Sequence, residues 1–294
     1  MIERIDGHCH YWTLRRGDYG WLTPDAAHLA PIYRDFGAAD MRPLADTAGI
    51  GQRILVQAAP TEAETQFLLD QGHEDKAVAG VVGWVDLSAA ESVASLEHLA
   101  KDPLLKGVRP MLQDLEDPDW IATRPHPEAI AALKRLGLRF DALVMPQHLA
   151  ALKRFVDANP DLPVIIDHAA KPALAAEAND PRHALWETGM AALARHPQVH
   201  CKLSGLLTEL PAELRSTPEK AVAALRPTVE KLLAWFGPRR IVWGSDWPVL
   251  TLAASFGFWI EVTGLLLEGL SANERTQILS GTAERFYGLE GGRP

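Results

Sequence analysis

The chain lacks most features that mark secreted, membrane-bound and nucleic-acid-binding proteins. Its 294 residues contain two cysteines, Cys9 and Cys201, far apart in sequence. A disulfide framework needs more thiols at closer spacing, so none is expected, and a reducing cytoplasm is the default compartment. No apolar run approaches the roughly 20 residues a spanning helix needs, and Leu265-Leu266-Leu267 belongs to an amphipathic segment that reads as core. The start, Met1-Ile2-Glu3-Arg4, does not have the layout of a signal peptide. No basic stretch offsets the formal net charge of -9, which argues against a nucleic-acid partner. A glycine-rich phosphate turn is also missing. An open, doubly wound sheet would want one after its first strand, where Gly7-His8-Cys9-His10 stands instead. There is no internal repeat, low-complexity tract or interdomain linker.

What is present is ordinary globular composition, 47% hydrophobic and 23% charged, enough for a large core. Short β-rich runs alternate with longer helical patterns. Strands are expected near 2–6, 53–57, 78–85, 107–109, 139–143, 164–166, 199–203 and 240–243. Helices are expected over 61–73, 88–100, 127–136, 147–158, 183–196 and 221–236. The runs over 53–57 and 162–166 lack two-residue alternation, as strands buried on both faces should. Eight such alternations predict a single-domain α/β fold spanning 1–294, a distorted (β/α)8 TIM barrel. Residues 11–42 form a long irregular stretch carrying Tyr11, Trp12, Tyr19, Trp21, Tyr33 and Phe36. It follows the first strand, so it is expected as a loop insert over the mouth of the barrel, a lid or a surface loop pinned by its aromatics. Residues 271–294 are expected as a C-terminal helix and tail.

Polar residues recur where barrel strands end, the place where this fold gathers reacting groups. His8 and His10 follow the first strand one residue apart, so they share a face. Arg109 ends the fourth strand, Asp167-His168 the sixth and Lys202 the seventh, while Asp246 follows the eighth. A single strand-end histidine is usually structural; six such residues at equivalent positions point to one pocket. His8, His10 and Asp246 suit one weakly held divalent metal, zinc by ligand type, without requiring it. Arg109, a fixed cation at the fourth strand, argues against a two-metal centre. Cys9 and Cys201 alternate with the polar residues and should face the helix layer. Asp167 should lie opposite His168, as a supporting partner or a cap. Of the two tryptophans flanking Asp246, Trp243 and Trp247, one should pack in the core and the other line the mouth. Trp247 is taken as the mouth residue, together with Trp21 from the long loop.

At these residues the chain resembles the amidohydrolase superfamily, and within it the sugar-lactonase-like group. The segments are Asp6-Gly-His-Cys-His-Tyr-Trp12, Asp18-Tyr-Gly-Trp21, Val82-Gly-Trp-Val-Asp86 and Lys106-Gly-Val-Arg-Pro-Met-Leu-Gln-Asp114, then Ile166-Asp-His-Ala-Ala-Lys-Pro172, Cys201-Lys-Leu-Ser-Gly205 and Trp243-Gly-Ser-Asp-Trp-Pro248. They run from the first strand to the last. The resemblance implies hydrolysis of sugar-acid or related carboxylated lactones by water, with Asp246 as general base. His8, His10 and His168 would then be catalytic, and Arg109 and Lys202 would bind substrate. Two departures stand out: Cys9 where many relatives have glutamine, and Pro110 where sugar-acid lactonases carry histidine. The rivals are a metal-dependent decarboxylase on a similar barrel and a non-catalytic sugar-acid-binding barrel. The expected partner is a small lactone, with neither nucleic acid nor membrane involved, and a homo-oligomer is compatible with the sequence.

Overall fold

The computed structural model describes residues 3–289. Eight strands pair in sequence order, each parallel to the next. They are β1 (Arg4–Cys9), β2 (Ile50–Val56), β3 (Val78–Gly83), β4 (Leu105–Val108), β5 (Arg139–Ala142), β6 (Val164–Ile166), β7 (Val199–Leu203) and β8 (Ile241–Trp243). Parallel neighbours require crossovers. Helices supply them: α1 (Ala38–Ala48), α2 (Glu62–Glu74), α3 (Ser92–Leu99), α4 (Trp120–Thr123), α5 (Pro127–Arg135), α6 (Leu149–Ala158), α7 (Pro181–Leu193) and α8 (Pro218–Phe236). The chain continues through α9 (Phe256–Leu266), α10 (Ala272–Thr276) and α11 (Thr282–Tyr287). The expected barrel is present. Residue 2 of the first expected strand and 290–294 of the expected tail lie outside the described residues. No helix among the described residues is long and apolar enough to cross a membrane.

Strand alternation sorts side chains into two cores. Val164 and Ile166 join Phe140, Cys201 and Trp243 in the layer between strands and helices, while Ile165, Val242, Ile54 and Val82 fill the barrel interior. Ala283, Phe286 and Tyr287 of α11 belong to that interior cluster, so the C-terminal helix plugs the barrel. The last turn before it is a π-helix over Gln277–Gly281. The expected insert over 11–42 is shorter than predicted, because α1 begins at Ala38. Before it, the chain is anchored by a Trp12–Phe36 bridge and by the Trp12 indole donating to the Arg34 carbonyl at 2.8 Å.

β8 meets β1 at a short seam. The Asp246 N–H donates to the His8 carbonyl (2.8 Å), and the His10 N–H donates to the Trp247 carbonyl (2.7 Å). Asp6 stitches the same seam, accepting from the backbone N–H groups of Ser245 (2.8 Å) and His8 (3.2 Å) and from the Ser245 hydroxyl. The backbones approach so closely that a Cβ at Gly244 would lie 2.8 Å from His8 Cβ. Gly244→Ala should therefore cost about 1–3 kcal/mol by overpacking. Urea unfolding measures this; an unchanged midpoint would contradict the seam as described.

Candidate active site

Three imidazoles converge on one carboxylate oxygen. Asp246 Oδ1 is 3.3 Å from His10 Nε2 and 3.7 Å from the Nε2 atoms of both His8 and His168. A register shift in β1 between Asp6 and Cys9 leaves Gly7 and His8 both turned inward: a Cβ at Gly7 would strike Val242, an interior residue. His10 has an acceptor at each ring nitrogen, the Val56 carbonyl 2.7 Å from Nδ1 and Asp246 Oδ1 3.3 Å from Nε2. His8 Nε2 faces Arg109 Nη1 at 3.4 Å. Neither arginine nor an ammonium can accept a hydrogen bond, and His8 Nδ1 lies between the Lys202 ammonium at 3.0 Å and Asp167 Oδ1 at 3.4 Å, so both ring nitrogens face a cation.

His168 reaches the site through unusual backbone. Residues His168 to Lys171 all have φ between 48° and 58°. Left-handed conformation costs roughly 1–2 kcal/mol per non-glycine residue, and single residues rather than whole turns are the norm. Anchors hold this turn: Ser204 Oγ at 2.9 Å from His168 Nδ1, and the Trp186 indole donating to the Ala169 carbonyl at 2.6 Å. Gly205 lies so close that a Cβ there would press on the His168 ring. Asp246 is also left-handed, at φ 58°, a conformation that aspartate and asparagine tolerate better than most residues.

Beneath the imidazoles runs a buried polar column. Lys202 Nζ donates to Asp141 Oδ2 (2.6 Å), lies 3.0 Å from Asp167 Oδ1 and 3.0 Å from His8 Nδ1, and is fully shielded from solvent. Asp141 Oδ2 also accepts from the Tyr287 hydroxyl of the plug helix at 2.7 Å. Arg109 donates Nε–H to Gln57 Oε1 (2.8 Å), Nη2–H to the Gln57 carbonyl and Nη1–H to Asp167 Oδ2 (3.3 Å). Burial pushes the Asp141 carboxyl up to about 6. It acts the same way on Asp167, but Lys202, His8 and Arg109 outweigh it and hold that carboxyl well below its ordinary value. Burial pushes His168 down to about 4 and His8 well below the usual imidazole value. For Asp246, burial is outweighed by His168 and the His10 hydrogen bond, which keep it ionised far into acid. At neutral pH, then, an ionised carboxylate faces neutral His8 and His168.

Above this floor is a cavity of about 420 Å³, walled by His10, His168, Asp246, Arg109, Lys171 and Trp21 among others. Trp21 is set by its indole N–H on the Ala58 carbonyl at 2.7 Å. That loop is fixed by buried Glu64, which accepts from the N–H groups of Ala58 and Ala59. The donor set suits one divalent metal: His8, His10 and Asp246 each present a ligand atom within 4.8 Å of the others, and His8, Asp167 and His168 form an overlapping group. The second group already contains the Lys202 ammonium, which contacts both His8 and Asp167 and would repel a second ion.

The structure thus brings His10, His168, Asp246, Arg109 and Trp21 together around one cavity, with His8 buried beneath it 3.7 Å from Asp246 Oδ1. Two expectations are corrected. Lys202 lies under the imidazoles rather than at the mouth, because β7 turns it into the closed interior. Trp247 packs against Tyr11 and Phe36 at ring distances of 6.3 and 5.3 Å, 2% exposed and off the cavity. Asp167 was expected opposite His168, yet both serve the site. Alternation through Ile165 puts Asp167 inside, and the left-handed turn swings His168 back over it. Asp141, Gln57, Ser204 and Lys171 were missed; a lone aspartate in the apolar run of β5 was the one available signal. Cys9 and Cys201 are buried in the outer layer, as expected. Lys202→Met would leave Asp141 without its counter-ion and Asp167 with Arg109 alone, and should cost about 3–5 kcal/mol. Adding Asp141→Asn should recover part of the loss in the same urea titration; a neutral single variant would contradict the column.

Comparison with known proteins agrees with this architecture. The chain matches the amidohydrolase family model over residues 5–289. It is 42% identical to an L-fucono-1,5-lactonase of Burkholderia ambifaria, covering 99% of this chain and 97% of that one. A second L-fucono-1,5-lactonase, from Burkholderia multivorans, is 35% identical over 97% and 96%. An amidohydrolase crystal structure from Burkholderia multivorans with bound zinc superposes with a TM-score of 0.88 at 35% identity, over 97% of this chain and 99% of that one. Matched from its first strand to its plug helix, the chain belongs to the amidohydrolase family.

Proposed function

We propose that the chain is a lactonase that opens the ring of a sugar-acid lactone with water, Asp246 acting as general base. The observation that carries this reading is the single carboxylate oxygen within 3.3–3.7 Å of three imidazole nitrogens, at the floor of a cavity also walled by Arg109. The 42% identity to an L-fucono-1,5-lactonase supports an aldonolactone, with L-fucono-1,5-lactone the first to try. Residues 11–37 serve as a wall of the cavity through Trp12, Trp21, His28 and Leu29.

Asp246 removes a proton from water as it attacks the ring carbonyl. The negative charge that develops on the carbonyl oxygen is met by the Arg109 guanidinium in the cavity wall. Asp246 then delivers its proton to the departing ring oxygen, and the product is a hydroxy acid. Lys202 and Asp167 hold the His8 ring in place throughout. His8, His10 and Asp246 would hold one divalent ion, zinc by ligand type, and when bound it would supply Lewis-acid polarisation of the carbonyl.

Asp246→Asn suits the left-handed backbone and should leave circular dichroism unchanged while cutting kcat by about 10²–10⁴-fold. Near-normal turnover in a pH-indicator assay would remove Asp246 from the base role. Added zinc should raise the melting temperature of the wild-type chain by binding the native state alone. His10→Ala should abolish that shift, and an equal shift in both proteins would place the ion elsewhere.

A further inference from the structure

Beside the catalytic cavity lies a second one of about 500 Å³, with Trp21, Trp84, Trp120, Asp18, Asp86 and Asp114 in its wall. Trp21, Met111 and Asp114 belong to both walls, so the two spaces adjoin. Their chemistry differs. The catalytic cavity mixes Arg109, Lys171 and imidazoles with Asp246 and the shared Asp114, whereas the lining of its neighbour contains no lysine, arginine or histidine.

The three tryptophans come from separate segments: Trp21 from the stretch after β1, Trp84 from the residue after β3 and Trp120 from the start of α4. All three are half-buried. Neither the Trp84 nor the Trp120 indole N–H has a protein acceptor among the described residues, so each keeps both an apolar face and a donor to offer. The carboxylates are held in place. Asp86 Oδ1 accepts from the Ser88 N–H (2.9 Å) and hydroxyl (2.6 Å), and Asp18 Oδ2 accepts from Arg16 (2.6 Å) and Thr61 (2.7 Å). An anion would be repelled by this lining. A purely apolar ligand would strip water from the carboxylates without replacing its hydrogen bonds. A sugar ring answers both surfaces, with C–H faces for the indoles and hydroxyl donors for the carboxylates. A cavity of this size lies within the usual range of about 300–1,000 Å³ for small-molecule sites.

We propose that this cavity is a glycosyl subsite: the chain accepts an aldonolactone bearing a second, neutral sugar, with the lactone over Asp246 and the sugar between Trp84 and Trp120. The inference rests on the lactonase reading and adds the substrate class to it. Binding energy from the remote sugar would be used to orient the lactone, so it should appear in kcat/KM.

The test compares 1,5-lactones of gluco- and galacto-configured aldonic acids with the same lactones carrying a glycosyl substituent, each corrected for spontaneous opening. The glycosylated member of at least one pair should react about tenfold better in kcat/KM, the equivalent of one well-made remote contact. Trp84→Ala and Trp120→Ala should abolish that advantage while leaving the simple lactone unchanged. In parallel, the glycosylated hydroxy acids should quench tryptophan fluorescence in Asp246→Asn, and much less once Trp84 is also replaced. Equal rates within every pair, or equal losses on both members in the tryptophan variants, would overturn the subsite while leaving the lactonase reading intact. Quenching by tetramethylammonium but not by the glycosylated acids would also overturn it, in favour of a cation cage. Failure to open any lactone, L-fucono-1,5-lactone included, would refute the lactonase reading itself and the subsite with it.

Discussion

The seam between β1 and β8 is the constraint on which the catalytic end depends. Asp6, inaccessible and bonded to Ser245 and His8, ties the first strand to the turn after the last. Two backbone hydrogen bonds finish the job, one to the His8 carbonyl and one from the His10 N–H. Because these bonds involve His10 and Asp246 in the cavity wall and His8 just beneath it, closing the barrel also assembles the site. Burial pushes the Asp6 carboxyl up to about 6, against the pull of its hydrogen bonds to Ser245 and His8. Its folded value therefore lies above its unfolded one. Between roughly pH 4 and 6 the native state holds the extra proton, so this group's contribution to stability declines as pH rises through that window.

Below the seam, the barrel interior changes character along its axis. Ile5, Ile54, Val82 and Ile165 pack with the plug helix, and the Tyr287–Asp141–Lys202–Asp167 column then carries polarity up to the imidazoles. Such a column is expensive to bury unless every member is paired. Here it holds the His8 ring from below. The same logic explains the left-handed turn at His168: strain is tolerated where surrounding contacts over-determine a functional side chain.

Much of this was legible in the sequence. The alternation of strands and helices announced the barrel, and strand-end His8, His10, Arg109, His168 and Asp246 were readable because the fold gathers strand ends at one mouth. The misreadings share one cause. Two-residue alternation says which face a side chain takes but not how deep along the barrel it sits, so Lys202 was placed at the mouth when it belongs to the layer below. Nor does alternation foresee positive φ, which put both Asp167 and His168 to use, or an aromatic neighbour such as Phe36, which draws Trp247 into the outer core. Helix α1 was hidden because Pro43 and a weak apolar stripe obscured it, so that 38–42 were read as the end of the loop and 43–48 were given no helix. Asp141 went unnoticed because its partner comes from the far end of the chain, with Tyr287 the second residue on its carboxylate.

The central claim is that water, activated by Asp246, attacks the lactone directly. A single turnover in ¹⁸O-enriched water, with enzyme in excess over L-fucono-1,5-lactone, tests it most directly. The account predicts one ¹⁸O atom in the product carboxylate and none in the Asp246 side chain by peptide mass spectrometry. Unlabelled product from that turnover, with its ¹⁸O in Asp246 instead, would contradict it, because the carboxylate would then be a nucleophile rather than a base.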